Sequence, residues 1–223
     1  MNAIASRLQF SLSLLTERRL ALFVGLDILF VLPSIIVSVS GGNELATAFY
    51  MPMFLVPAMV IAVPMLADAV AVERRSGTLD LAMTSPGANT YFERRVGAVA
   101  ALLVAQGWLA VFINRLAGEP FPVSGPLLQM VVVACFIAAA ALNWSVRMRT
   151  TGAVVFATYA SILAFSPWFF SNPVHPPQYK GQGPMALPDY IDYFKTNVIL
   201  AVAAVIFYLY ARQRLSRPET IIT

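Results

Sequence analysis

The chain has 223 residues, of which 59% are hydrophobic and 12% are charged, and its mean hydropathy is +0.73. Soluble domains carry about 25% charged residues, so this composition excludes an ordinary soluble globular protein. The formal net charge of +4 does not indicate a nucleic-acid partner, because the basic residues lie at the ends of apolar runs and form no stripe. We expect an all-α integral membrane protein in which residues 1–223 form a single transmembrane domain.

The N-terminal residues 1–19 precede the first long apolar run. Ile4, Leu8, Leu12 and Leu15 recur there at close to helical spacing, with polar residues elsewhere on the helical wheel. This pattern predicts an amphipathic helix that lies on the inner leaflet of a membrane. The alternative is a frayed chain terminus.

Six apolar runs follow, several of them near the roughly 20 residues that a membrane-spanning helix needs. They comprise residues 20–40, 45–72, 96–116, 127–146, 151–170 and 197–211. The second run would be about 42 Å long as a helix, so we expect it to tilt, to kink at Pro52, Pro57 or Pro64, or to protrude from the membrane as a stalk. The sixth run is short, and Pro188 followed by Asp189 indicates that its helix starts earlier.

The distribution of basic residues predicts the orientation of these spans. Of the fifteen, twelve fall on the side that holds both chain ends, and three fall on the other side, namely Arg115, Lys180 and Lys195. An excess of basic residues marks the cytoplasmic side. We therefore expect a multi-pass protein of the inner (cytoplasmic) membrane, with both termini and the charge-rich residues 73–95 in the cytoplasm. Residues 171–196, with many prolines and glycines, would form an irregular external segment.

The charge-rich stretch, ERRSGTLDLAMTSPGANTYFERR, interrupts the apolar sequence. Gly77 can end the incoming helix, and Thr78 can cap a short helix, LDLAMT, with Asp80 near its positive end. Ser85 and Pro86 can then start the next helix. A short apolar helix ringed by charge in a cytoplasmic loop is typical of a docking surface. The alternative is a loop that folds onto the protein's own helices and onto lipid headgroups.

The segment ERRSGTLDLAMTSP resembles the one that follows the second helix in permease subunits of type-2 ABC transporters. In that family an acidic-basic pair is followed by Gly-Thr-Leu, an acidic residue, and Ser-Pro or Ser/Thr-x-Pro. The resemblance implies the type-2 ABC exporter transmembrane fold, with six transmembrane helices, an N-terminal amphipathic interfacial helix and a cytoplasmic coupling helix between helices 2 and 3. It assigns ATPase coupling to Glu73, Arg74, Gly77, Thr78, Leu79, Asp80, Leu81, Met83, Ser85 and Pro86.

In this family the coupling helix sits in a groove of the ATPase subunit. The resemblance therefore implies that residues 79–84 transmit the ATP-driven stroke and that the acidic-basic pair before them braces the joint. The chain contains no G-x-x-x-x-G-K-[ST] phosphate loop, so we expect ATP and Mg²⁺ on a separate ATPase chain, present in two copies, and no cofactor or enzymatic activity here. A second permease copy, or a homologous permease, would complete the transporter. Small residues at Gly97, Ala101 and Ala105 permit close helix packing.

A few polar residues within the apolar runs are candidates for a transport path or for gating. Asp27 lies about 10 Å into the first span, where an acid is a functional candidate by default, unless the span starts later and the acid lies near the interface. Gln106 and Asn143 could line a polar path or hydrogen-bond between helices. Asp68 is expected at the inner interface, paired with a nearby arginine.

We find no arrangement of residues that predicts catalysis or a metal site. His175 is the only histidine and Cys135 the only cysteine, and one histidine cannot form a metal site alone. Two alternatives to an exporter subunit remain. One is a permease for haem or metal-centre maturation, which would give the segment around His175 a role. The other is a membrane scaffold or assembly factor that transports nothing.

Overall fold

The computed structural model describes residues 55–56, 58–76, 88–117, 124–167 and 187–217, together with positions 21, 25 and 29. Across these residues the regular secondary structure is helical and contains no strand. A π-helical segment, Ala58–Ala62, leads into α1 (Val63–Ser76), which is followed by α2 (Ala88–Ala117), α3 (Ser124–Arg147), α4 (Thr151–Ala164) and α5 (Leu187–Leu215).

Helix α3 lies at the centre of the described bundle and packs against the other four α-helices. Met130, Phe136 and Ile137 are fully buried along it. The run of alanines at 138–141 is also buried, and such small side chains let neighbouring helices approach closely. One such close approach is at Gly107 of α2, where an added Cβ would lie 2.8 Å from Cγ of Met130.

The connection between α3 and α4 is as tight as the sequence RMRTTG predicts. The N–H of Met148 donates to the carbonyl of Trp144 at 2.8 Å, which ends α3. The hydroxyl of Thr150 then accepts from the N–H of Ala153 at 3.3 Å, so a side chain satisfies one of the free donors at the start of α4. Three residues, 148–150, are therefore enough to reverse the chain.

The predicted distortion of the second apolar run takes the form of a π-helical segment just before Pro64. In a π-helix each carbonyl pairs with the N–H five residues further on. For Met59 that residue is Pro64, which has no N–H. The hydroxyl of Tyr159, on α4, donates to the carbonyl of Met59 instead. The proline thus frees a carbonyl that a neighbouring helix satisfies.

The helices can be compared with the predicted spans. Residues 96–116 and 127–146 lie inside α2 and α3, and residues 197–211 lie inside α5. Helix α5 has 29 residues and begins at Leu187, as the Pro188–Asp189 pair indicates. Residues 187–196 are therefore helical, and the irregular external segment is shorter at this end than predicted. Positions 21, 25 and 29 of the first span are helical.

Two of the described helical segments are long and apolar enough to cross a membrane, Leu127–Arg147 and Phe194–Leu215. Only 28% of the apolar window in the second is buried. It exposes a row of large hydrophobic side chains, namely Val198, Ile199, Val202, Val205, Ile206 and Leu209. Soluble monomers rarely expose so large an apolar face, so this face is compatible with a lipid environment. The full set of six spans stays a prediction.

One end of the bundle gathers the arginines and is called the basic end. There α1 ends, α2 begins, α3 ends, α4 begins and α5 ends. Its described basic residues are Arg74, Arg94, Arg95, Arg147, Arg149, Arg212, Arg214 and Arg217. Both helices that border residues 77–87 meet at this end, so the predicted coupling segment joins the bundle here.

Candidate functional site

A cluster of Glu73, Tyr91 and Arg95, called the Glu73 clamp, joins α1 to α2. The Tyr91 hydroxyl donates to Oε1 of Glu73 at 3.0 Å, and Nη1 of Arg95 donates to the same oxygen at 3.3 Å. The Glu73 and Arg95 side chains are only 17% and 16% exposed. Burial, and then the hydrogen bond to Glu73, raise the pKa of Tyr91, so the phenol stays protonated and remains the donor.

Arg74 connects α1 to the turn between α3 and α4. Its Nη1 donates to the carbonyl of Met148. Met148 directly follows the last residue of α3, so its carbonyl accepts no hydrogen bond within that helix. Burial, and then the positive charge of Arg149, lower the pKa of Arg74, although a guanidinium keeps its proton at neutral pH. The predicted acidic-basic pair therefore contacts two different parts of the bundle: Glu73 binds α2, and Arg74 binds the turn between α3 and α4.

Glu93 connects the start of α2 to the end of α5. Its Oε1 accepts from the Tyr208 hydroxyl at 2.8 Å and lies 4.0 Å from Nε of Arg212. The Arg212 side chain is 62% exposed and the Glu93 side chain 29% exposed. Exposed ion pairs stabilise little, so the tyrosine hydroxyl supplies most of this link.

Arg147, the last residue of α3, is held by both polar and aromatic groups. Its Nε donates to Oδ1 of Asn143 at 3.1 Å, one turn earlier. Its guanidinium carbon lies 5.9 Å from the ring centroid of Trp144 and 5.6 Å from that of Tyr210 on α5, within cation–π distance. The Trp144 Nε1 in turn donates to Oγ of Ser161 on α4 at 2.9 Å. The end of α3 is thereby fixed to α4 and α5.

Asp68 is nearly buried, at 5% exposed, and its Oδ1 accepts from the Thr151 hydroxyl at 3.1 Å. This contact fixes α1 to the first residue of α4. The predicted pairing of Asp68 with an arginine stays a prediction. The last turns of α1 contact α2 through Glu73, the 148–150 turn through Arg74 and α4 through Asp68. The protrusion of residues 68–75 from the membrane stays a prediction.

The structure buries both Gln106 and Asn143 but places them at different heights. Gln106 is next to Gly107, which lies against Met130. Asn143 is thirteen residues beyond Met130 on α3, about 20 Å further along the helix axis. The Oδ1 of Asn143 is used within α3 by Arg147. The two side chains therefore do not form a single polar site.

Several predicted residues lie outside the described part of the chain. These are Asp27 and His175, the amphipathic segment 1–19, and most of the coupling set: Gly77, Thr78, Leu79, Asp80, Leu81, Met83, Ser85 and Pro86. Within the described residues, no group of three or more His, Cys, Asp or Glu side chains is placed to hold a metal ion.

The sequence interpretation missed the neutral partners of the charged residues at the basic end. They are Tyr91, Tyr208, Thr151 and the carbonyl of Met148. One signal was available, because Tyr91 precedes Arg95 by four residues and thus shares a helix face with it. The other contacts join distant parts of the chain, and nothing local indicates them.

Comparisons with protein-family models, with curated proteins and with solved structures found no match for this chain.

Proposed function

We propose that this chain is the membrane-spanning permease subunit of an ATP-binding cassette exporter with the type-2 transmembrane fold. Its basic end would face the cytoplasm and bind a separate ATPase subunit through residues 77–87. The proposal is supported by the resemblance of that segment to the family's coupling helix and by the apolar, exposed face of α5. ATP and Mg²⁺ would bind the ATPase, and this chain would supply the substrate path.

The observation that carries the proposal is the anchoring of the residues that border the coupling segment. Glu73 and Arg74 stand three or four residues before it, and each is held by a different neighbour. Through the Glu73 clamp, a force on the segment would move α1 and α2 together. Through Arg74, the same force would reach the turn between α3 and α4.

A transporter of this kind needs a second permease, and α2 offers a face on which one could pack. Gly97, Ala101 and Ala105 are all exposed on it, at spacings of four residues that place them on one side of the helix. Small residues allow close contact between helices in lipid. We expect two permeases, in a homodimer or a heterodimer, to assemble with two ATPase subunits.

A pull-down from native membranes tests the ATPase partnership directly. The double variant Leu79→Asp with Leu81→Asp should lose a co-purifying ATPase, because two charges on the apolar side of the coupling helix oppose burial in an apolar groove. The matched control is Ile221→Asp with Ile222→Asp, which adds the same charges to an apolar pair in the predicted cytoplasmic tail. Equal retention of the ATPase by both variants would remove the coupling assignment.

The same experiment separates the alternatives. A scaffold or assembly factor would co-purify with other membrane proteins and with no ATPase. A maturation permease would carry haem or copper that His175→Ala removes, which metal analysis and the haem absorption spectrum would detect. Neither alternative is favoured by a contact among the described residues.

A further inference from the structure

Pro64 deprives one carbonyl of the preceding turn of its backbone donor, and the hydrogen-bond register decides which carbonyl that is. In an α-helix each carbonyl pairs with the N–H four residues further on, so Pro64 would leave the carbonyl of Val60 without a donor. In the π-helical segment Ala58–Ala62 the spacing is five residues, and the carbonyl concerned is that of Met59. A shift of one residue in register therefore moves the unmade bond from Val60 to Met59.

The two carbonyls have different surroundings. The Val60 side chain is 56% exposed, so in a membrane a carbonyl on that side of the helix would face lipid, which offers no hydrogen-bond donor. The Met59 carbonyl accepts from the Tyr159 hydroxyl of α4. A carbonyl that lacks a donor is costly away from water, so Tyr159 stabilises the π register relative to the α register. Without that donor the α register would be the usual one, since π-helices are rare.

The hydroxyls next to Tyr159 on α4 are used within their own helix. Oγ1 of Thr158 donates to the carbonyl of Val154 at 2.8 Å, and Oγ of Ser161 donates to the carbonyl of Ala157 at 2.9 Å. Among the described residues of this part of α4, Tyr159 is therefore the one whose hydroxyl donates to another helix.

The second apolar run is held differently on the two sides of Pro64. After the proline, α1 makes polar contacts with neighbouring elements through Asp68, Glu73 and Arg74. Among the described residues of the π-helical segment, the polar contact with another helix is the one at Met59. A movement within the run would therefore be concentrated in the π-helical segment, because α1 is fixed at several points.

A change of register would turn the part of the run that precedes the π-helical segment. One residue of an α-helix corresponds to about 100° of rotation and about 1.5 Å of rise. If the segment became regular α-helix while α1 stayed in place, residues 55–56 would turn by about that angle around the helix axis. Leu55, which is 5% exposed, would leave its buried position. A local change in hydrogen bonding would thus alter which face of the run packs against the bundle.

We propose that residues 58–62 are a two-register segment, and that donation by Tyr159 holds it in the π register. A movement of α4 that withdraws the hydroxyl from Met59 would allow the α register and turn the preceding part of the run. Tyr159 is in this sense a positioning residue. The inference rests on the membrane placement in the proposed function, because lipid is what leaves the Val60 carbonyl without a donor. It does not depend on the coupling to an ATPase.

Selective isotope labels distinguish the two registers in the full-length protein. The sequence contains two Met-Val pairs, Met59–Val60 and Met130–Val131. Methionine labelled with ¹³C at the carbonyl, together with ¹⁵N-valine, therefore gives two signals from directly bonded pairs in NMR spectra of the protein in lipid nanodiscs. The second pair lies in α3 and serves as an internal reference. In the α register the Met59 carbonyl would accept from the N–H of Val63, so a correlation across that hydrogen bond reports the register directly.

The correlation between Met59 and Val63 should be absent from the unchanged protein. Tyr159→Phe should make it appear and should shift the Met59 carbonyl signal, because the π register has lost its donor. Pro64→Ala supplies the missing N–H, so both registers are satisfied and the correlation should appear without any change at Tyr159. Adding Tyr159→Phe to Pro64→Ala should then alter neither signal.

Two matched controls change the same residue types elsewhere. Tyr91→Phe removes a hydroxyl that donates to a side chain, Glu73, and not to a backbone carbonyl. Pro126→Ala replaces a proline in the first turn of α3, where backbone N–H groups have no partner within the helix. Both variants should leave the Met59 signal in place and should show no correlation with Val63.

Three results would overturn the proposal. Absence of the correlation from both Tyr159→Phe and Pro64→Ala would show a fixed distortion with one register. An unshifted Met59 signal in Tyr159→Phe would show that the hydroxyl does not hold the segment. Failure of the protein to enter nanodiscs would remove the membrane placement and this inference with it. Pro64→Ala restores a donor, so it should fold even where Tyr159→Phe does not, and its spectrum then decides. These spectra need no ATPase, so failure of the coupling assignment in the pull-down would leave them unchanged.

Discussion

Substituting Glu73 with glutamine should loosen the Glu73 clamp without changing the size of the side chain. One carboxylate oxygen serves two donors, the Tyr91 hydroxyl at 3.0 Å and Arg95 at 3.3 Å. A hydrogen bond to a charged group contributes about 1.5–3 kcal/mol, and a neutral one about 0.5–1.5 kcal/mol. Removing the charge should therefore cost about 1 kcal/mol for each donor.

The degree of burial sets the scale of this estimate. Exposed ion pairs contribute about 0.2–1 kcal/mol, and breaking a fully buried pair costs about 3–5 kcal/mol. Glu73 and Arg95, at 17% and 16% exposed, lie between these limits, so a total cost of about 1–2 kcal/mol is consistent. Glu93→Gln is the matched control, and since Arg212 is 62% exposed its effect should be under about 1 kcal/mol.

A double-mutant cycle isolates the contact with the tyrosine. Glu73→Gln, Tyr91→Phe and the double variant would be unfolded by sodium dodecyl sulfate in mixed micelles, with tryptophan fluorescence as the signal. The coupling free energy should be about 1 kcal/mol, the difference between a charged and a neutral acceptor. Additivity within about 0.3–0.5 kcal/mol would refute the reasoning, because the two side chains would then not share a hydrogen bond.

Three further predictions concern packing, capping and the π-helical segment. Gly107→Ala should destabilise the fold by about 1–3 kcal/mol, because its Cβ would lie 2.8–2.9 Å from Met130 atoms. The control Gly97→Ala should be neutral or should stabilise the fold by up to about 1 kcal/mol. Equilibrium unfolding that finds Gly107→Ala more stable than Gly97→Ala would contradict this packing. Thr150→Ala should cost about 1 kcal/mol and speed hydrogen exchange at the start of α4, and Thr150→Ser should restore both. Tyr159→Phe should cost about 1–3 kcal/mol by removing the donor to the Met59 carbonyl, and a negligible change in unfolding would mean that another donor serves it.

The positions of α2, α3 and α5 could be predicted from the sequence, because apolar runs and their flanking breaks are local signals, whereas α4 ends at Ala164, before the predicted end of its span at residue 170. The start of α5 at Leu187 follows from the Pro188–Asp189 pair, and the short turn after α3 follows from RMRTTG. Where polar residues continue a helix beyond its apolar run, the predicted span was shorter than the helix in the structure. Residues 187–196 are helical although they are not apolar enough to be counted with the sixth run.

The contacts between helices could not be predicted from one sequence. Tyr159 donates to a carbonyl 100 residues away, and the need for that donor arises only when the helix adopts the π register before Pro64. Prolines indicate a distortion, but the identity of the carbonyl that is freed depends on the register. In the same way, Glu73 and Arg74 stand out as a charged pair, while Met148 has no polar side chain that would indicate its role.

The contacts at the basic end share a feature that suits a membrane surface. Four charged residues there have a neutral partner on another helix or turn: Glu73 with Tyr91, Arg74 with the Met148 carbonyl, Glu93 with Tyr208, and Asp68 with Thr151. Salt screens attraction between charges, and lipid phosphates would compete for arginine side chains. A hydroxyl that donates to a carboxylate, as at Glu73, Glu93 and Asp68, avoids both effects, because neither partner is an arginine and the hydroxyl carries no charge. The helices that border residues 77–87 can therefore keep their mutual positions among mobile ions and lipid headgroups, as the proposed transmission of an ATP-driven stroke would require.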